Sequence, residues 1–186
     1  MYAKGWRCEM FDVEAAFLNA ELDTVMYLKW PEAMQELGFI SKEQKDKECI
    51  KLVRSMYGNV DAALRWQKCF VQTCIEPKGD IQCEQSKVDP CLLIRRDKEG
   101  KVKLLVVCYV DDVLLSGTEK EIKLFKTQFK KKYNITDLGK MKKHLGMWYD
   151  WKKNENNEPY IHVTMDSMLK DIVQTYEKII GKEVKK

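Results

Sequence analysis

The sequence predicts an α+β fold, with a mainly antiparallel sheet backed by helices. Three observations carry this. Short β-prone runs are joined by tight turns. Two long stretches repeat apolar residues at helical spacing. Hairpins, rather than strict strand–helix alternation, join the strands, which points to a largely antiparallel sheet. With 186 residues, 45% hydrophobic and 33% charged, the chain can bury one real core and is not a disordered tail.

Residues 6–13 alternate apolar and polar before turning apolar at Phe11, which predicts a strand that ends at Asp12 and Val13. Residues 15–18 either extend it or start a short helix. Residues 27–30 read as a strand stopped by Pro31, residues 31–47 as a polar surface excursion, and residues 49–53 as another strand. A turn at Tyr57-Gly58-Asn59 leads to Asp61, placed as the N-cap of a helix. Leu64, Trp66, Phe70, Val71, Cys74 and Ile75 give that helix a wide apolar face, and Pro77-Lys78-Gly79-Asp80 ends it.

Asp89-Pro90 opens a strand over 91–95, and residues 97–100 form a hairpin turn. The clearest signal follows: apolar runs at 102–110 and 113–115, separated by Asp111-Asp112, have hairpin spacing. Ile122, Phe125, Phe129 and Tyr133 then recur at helical period, with Lys123, Lys126 and Lys130–Lys132 on the opposite, solvated face. Residues 144–149 and 160–163 read as partner strands around a turn at 155–159. Met165, Met168, Leu169, Ile172, Val173, Tyr176, Ile179 and Ile180 fit an amphipathic helix with Thr164 as its N-cap.

Composition narrows the function classes. A net charge of +4 permits a nucleic-acid partner without requiring one. The seven cysteines form no CxxC pair, and His144 and His162 are not at zinc-finger spacing, so the thiols read as reduced residues of an intracellular protein. Residues 1–12 are too polar for a signal peptide, and no apolar run reaches membrane-spanning length. The chain enters its first strand almost at once, which reads as a piece of a longer polyprotein.

Asp12 and the pair Asp111-Asp112 lie at the ends of buried strands. If those strands are neighbours, the carboxylates meet, and a divalent cation is the natural relief of their repulsion. An Asp-Asp turn is also an ordinary hairpin, because aspartate tolerates turn conformations. The surrounding blocks decide between the two. FDVEAAFLNAELD with MYLKWPE, KLVRSMYGNVDAALRW, SKVDPCLLIRRD, YVDDVLLSG and ITDLGKMKKHLGMWYD, in this order over residues 6–176, resemble the motifs of copia-type LTR-retrotransposon reverse transcriptases.

That resemblance implies a polymerase palm over residues 1–150, with residual fingers elements at roughly 20–60. A primer-grip strand and the start of a thumb would occupy 151–186. It implies an RNA-directed DNA polymerase using Mg²⁺ or Mn²⁺, with an RNA template, a DNA primer and deoxynucleoside triphosphates. Other polyprotein segments (fingers, thumb, RNase H) would be its partners, in the cytoplasm or in virus-like particles.

Asp12 and Asp111 would hold the metals, with the Val13 carbonyl as a further ligand and Asp112 completing the acidic turn. Phe17 would lie against the sugar 2′ position, and Tyr109 near the primer end. Arg65 and Trp66 would lie along the template, although Trp66 reads equally as the core anchor of its helix. Phe17 reads equally as a core residue, and the lysine run as a solvated helix face. The chain departs from the family pattern where Asn59-Val60-Asp61 replaces Leu-Lys-Gln, where Ala63-Leu64 replaces Pro-Arg, and where Ala20 replaces Gly. A second reading therefore stands beside the first: an impaired or domesticated palm acting as a nucleic-acid-binding or assembly module.

Overall fold

A computed structural model describes residues 5–183. The outermost residues of the two expected segments, 1–4 and 184–186, lie outside the described residues. Among those described, six strands form one antiparallel sheet, with two smaller sheets beside it. In chain order the elements begin with β1 (Arg7–Val13), a 3-10 turn (Ala16–Asn19), β2 (Glu21–Leu28), α1 (Glu32–Glu36), α2 (Lys42–Lys47), β3 (Ile50–Arg54) and α3 (Ala62–Ile75). They continue with β4 (Glu84–Gln85), β5 (Leu92–Arg96), β6 (Val102–Tyr109), β7 (Asp112–Gly117) and α4 (Glu119–Phe129). The last are β8 (Ile135–Lys140), β9 (Lys143–His144), β10 (Met147–Lys153), β11 (Pro159–Thr164) and α5 (Asp166–Ile180).

The main sheet runs β4-β5-β6-β7-β1-β8, so the first strand of the chain is inserted between the acidic hairpin and β8. Its two faces are buried differently. Phe11 and Val13 face the helices, where they join Trp66, Phe70, Phe125, Phe129 and Val113 in the main core. Cys8 and Met10 face the other way and pack with Leu114, Met141, Tyr149 and Trp151. This two-sided burial explains why β1 reads first as alternating and then as continuously apolar. Cys74, Cys83 and Cys108 are buried thiols. Burial pushes Cys83 up to about 11 and Cys108 up to about 12, so both stay protonated and unreactive at neutral pH.

Several local expectations are corrected. β2 is longer than residues 27–30 and pairs with β3 in a separate ribbon. The excursion at 31–47 holds two short helices, the second started by a capping box between Ser41 and Gln44. The strand expected at 144–149 is broken by Leu145 and Gly146, at φ 49° and 79°, which fold it into the β9–β10 hairpin. β8 was not anticipated, because its solvent-facing polar residues hide the pattern. Met165, not Thr164, occupies the N-cap of α5, and Thr164 remains in β11, paired with Trp148.

Lys126, expected on the solvated face of α4, is buried. Its ammonium lies 2.7 Å from Glu9 Oε2 and 2.6 Å from Asp137 Oδ1, which ties α4 to β1 and β8. Helical periodicity continues to Tyr133, but α4 ends at Phe129 and Tyr133 packs from the following turn, edge-on to Trp66. In α5 no residue is buried, and Leu169, Ile172 and Ile179 are exposed. No helix among the described residues is long and apolar enough to cross a membrane.

Candidate polymerase active site

Register builds the site. β1 pairs with β7 so that Phe11 lies opposite Val113, Met10 opposite Leu114 and Asp12 opposite Asp112. Alternation along each strand then puts Asp12 and Asp112 on the face away from the helices, at the end of the Cys8–Met10 stripe. The backbone tightens the junction further, with the Val13 amide donating to the Asp111 carbonyl at 2.9 Å.

The acidic hairpin is offset by one residue from its expected form. Tyr109 pairs with Asp112, so the two-residue loop is Val110-Asp111 and Asp112 is the first residue of β7. Val110 takes φ 57°, a costly conformation for a β-branched residue. Its carbonyl is held from two sides: the Trp66 indole N–H donates at 2.5 Å and the Cys108 thiol at 3.3 Å. Trp66 is fully buried, so it is a core anchor that also supports the turn.

Burial raises the Asp12 carboxyl above its ordinary value, and the neighbouring charges of Asp111, Asp112 and Glu14 raise it further. Four carboxylates thus act on one strand end. Among the described residues, no three His, Cys, Asp or Glu side chains are gathered tightly enough to hold a metal ion by themselves. Mg²⁺ is commonly bound by one or two carboxylates together with substrate phosphates and water. The hard oxygen donors and their crowded charge fit a divalent cation.

Asp12, Val13, Tyr109, Asp111 and Asp112 are therefore brought together, whereas the contacts of Phe17 and Arg65 are with other residues. Phe17 sits in the 3-10 turn after β1, following Ala15 at φ 51°. It is half-buried against the main core, with its ring 4.9 Å from that of the exposed Tyr57. Tyr109 is exposed.

Arg65, in the first turn of α3, donates to Asp61 at 2.6 Å and to Asp23 at 2.5 Å, with Thr24 at 3.4 Å. The hydrogen bond from Arg65 holds the Asp23 carboxyl below its ordinary range. Asp61 does occupy the N-cap of α3, yet its carboxylate caps no amide and turns to Arg65 instead.

The lysines are mostly engaged locally. Lys123 pairs with Glu119, Lys131 with Asp80 and Lys132 with Glu76, while Lys140 and Lys143 lie over the Trp151 and Trp148 rings. Sequence reasoning missed the buried role of Lys126. It also missed His144, whose ring lies beside Tyr109 and Asp112. The signal available for His144 was its place in the block after β8, but a lone histidine is more often a packing residue.

An antiparallel sheet backed by helices, with Asp12 at the end of one strand beside Asp111 and Asp112 at the start of its neighbour, is compatible with a polymerase palm. The chain belongs to the reverse transcriptase (RNA-dependent DNA polymerase) family, whose model matches residues 2–179, and within it to the copia-type retrotransposon enzymes. It is 31% identical over 140 residues to the retrovirus-related Pol polyprotein from transposon TNT 1-94 of Nicotiana tabacum, covering 75% of this chain and 10% of that protein. It is also 31% identical over 137 residues to a putative transposon Ty5-1 protein of Saccharomyces cerevisiae, covering 73% of this chain and 41% of that one. The chain thus spans about a tenth of one relative and about two fifths of the other. No solved structure matches it.

Proposed function

We propose that this chain is the palm of a retrotransposon RNA-directed DNA polymerase, and that Asp12 and Asp111 hold its catalytic metals. The carrying observation is the β1–β7 register, which sets Asp12 against the acidic turn, where burial first and then the charges of Asp111 and Asp112 raise its carboxyl. Mg²⁺ or Mn²⁺, when bound, stabilises charge on the attacking and leaving oxygens of an in-line phosphoryl displacement.

The protein's own part is positional. Asp12 and Asp111 present carboxylate oxygens from two adjacent strand ends, and the Val13 carbonyl adds a further donor beside Asp12. Asp112 completes the negative charge of the turn. Tyr109, exposed next to that turn, supports the primer end, whose 3′-hydroxyl attacks the α-phosphate of a deoxynucleoside triphosphate as pyrophosphate leaves. Phe17, propped by Tyr57, closes the space that a ribose 2′-hydroxyl would need.

Residues 1–150 act as palm, with β2, β3 and the two short helices between them as fingers elements. The β9–β11 hairpins grip the primer, and α5 begins the thumb. Other segments of a longer polyprotein supply the remainder.

A specific observation favours a second reading, an impaired palm that only binds nucleic acid. Asp61 stands where the family places Gln, and together with Asp23 it engages the Arg65 guanidinium that would otherwise be open to a template phosphate. Primer extension on a poly(rA)–oligo(dT) substrate, in Mg²⁺ and in Mn²⁺, separates the two. Extension that disappears in Asp111→Asn supports the polymerase. Folded protein that binds primer–template but extends nothing, even with an upstream fingers segment restored, supports the second reading.

A further inference from the structure

Among the described residues, His144 has the site's unexplained polar atom. Its side chain is 9% exposed, and its Nδ1 is buried without a hydrogen-bond partner. Leaving such a nitrogen unpaired in the interior is costly. The acceptor before it is Asp112 Oδ2 at 3.6 Å, just outside hydrogen-bond range. The same imidazole meets the Tyr109 ring edge-on, with centroids 6.4 Å apart and planes at 89°. Tyr109 and Asp112 are the pair that closes the acidic hairpin. One side chain of β9 therefore touches both ends of the loop that carries Asp111. Its own position is fixed by the tight Leu145-Gly146 turn and by pairing with Met147.

We propose that His144 is a positioning residue for the acidic turn, its Nδ1–H taking Asp112 as acceptor and holding that carboxylate in one rotamer on the β9 side. The inference rests on the polymerase reading for its catalytic consequence, but not for the contact itself. Its effect is to fix the charge that Asp112 presents to Asp12 across the β1–β7 pair, and so the geometry at which Asp12 and Asp111 receive their ligands. Outer hydrogen bonds of this kind orient the groups that bind a metal, and their loss commonly reduces activity about 10–100-fold.

Two measurements test this. The chain has two histidines, so imidazole ¹⁵N shifts at pH 8, assigned with His162→Gln, report the tautomer of His144 directly. The expected result is Nδ1–H in the wild type, moving toward Nε2–H in Asp112→Ala. An Nε2–H imidazole in the wild type, or a tautomer indifferent to Asp112→Ala, overturns the contact.

The second measurement is steady-state primer extension by His144→Phe and His144→Asn at matched melting temperature. Phe keeps the ring against Tyr109 without a donor, whereas Asn keeps an N–H near Nδ1. His144→Phe should lose about 10-fold or more in kcat with the nucleotide KM little changed, and His144→Asn should recover most of it. Equal kcat in His144→Phe and wild type overturns the positioning role. A wild type that extends no primer, even with an upstream fingers segment restored, removes the polymerase reading, while the tautomer result still decides the contact.

Discussion

The indole N–H of Trp66 donates to the carbonyl oxygen of Val110, joining the middle of the core to a left-handed residue in the acidic loop. An apolar anchor thus also holds the turn on which the candidate chemistry depends. Trp66→Phe keeps most of the packing against Phe70 and Tyr133 but deletes this donor. The expected loss is about 1–3 kcal/mol of stability from denaturant unfolding. Primer extension should fall by more than the folded fraction explains, because Val110 is released from its costly φ. Unfolding and extension that decline in proportion would restrict Trp66 to packing.

Asp12 gives the metal-free protein a pH signature. Its carboxyl is raised in the folded state, so its contribution to stability is full below the unfolded carboxylate value and is lost as pH rises through the folded one. At neutral pH the ionised group is repelled by its neighbours. Asp12→Asn should therefore raise the melting temperature at pH 7 without metal, with the gain vanishing in acid. Millimolar Mg²⁺ or Mn²⁺ should raise the wild-type melting temperature and leave Asp12→Asn unmoved. An equal rise in both would place metal binding elsewhere.

Lys126 makes the opposite acid-side prediction through Asp137. Burial alone would raise the Asp137 carboxyl, but the hydrogen bonds from Lys126 and from the Gly139 amide outweigh it and hold the carboxyl low. A lowered carboxyl stabilises above its unfolded value, and that stability is lost as pH falls through the folded one. Lys126→Met should cost about 1–3 kcal/mol at pH 7 by removing the ammonium from Glu9 and leaving Asp137 with only the Gly139 amide, and should flatten the acid-side decline. An unchanged pH–stability curve in Lys126→Met would show that the decline arises from other carboxylates.

Phe17→Val should admit ribonucleotides if Phe17, five residues after Asp12 and packed against Tyr57, takes the sugar-discriminating role proposed for it. The measurement is the ratio of kcat/KM for dTTP and UTP on poly(rA). A ratio unchanged from wild type would leave Phe17 as a packing residue only.

The sequence by itself determined the α+β class, the antiparallel hairpins, the apolar faces of α3 and α4, and the acidic residues that mark the family. These depend on local periodicity and on motif order, which a linear chain displays. Tertiary structure alone decided the rest. A lysine in a run of lysines looks solvated until β1 and β8 bring Glu9 and Asp137 to Lys126. Asp61 looks like a cap until Arg65 and the β2 residue Asp23 show where its carboxylate turns. His144 carries no local pattern, and its nearness to Asp112 exists only because the β9–β10 turn folds against the acidic hairpin. Several of these contacts join residues far apart in the chain, as with Lys126 and Glu9 at a separation of 117 and Arg65 and Asp23 at 42. Periodicity cannot encode them, because each depends on how two separately formed elements pack.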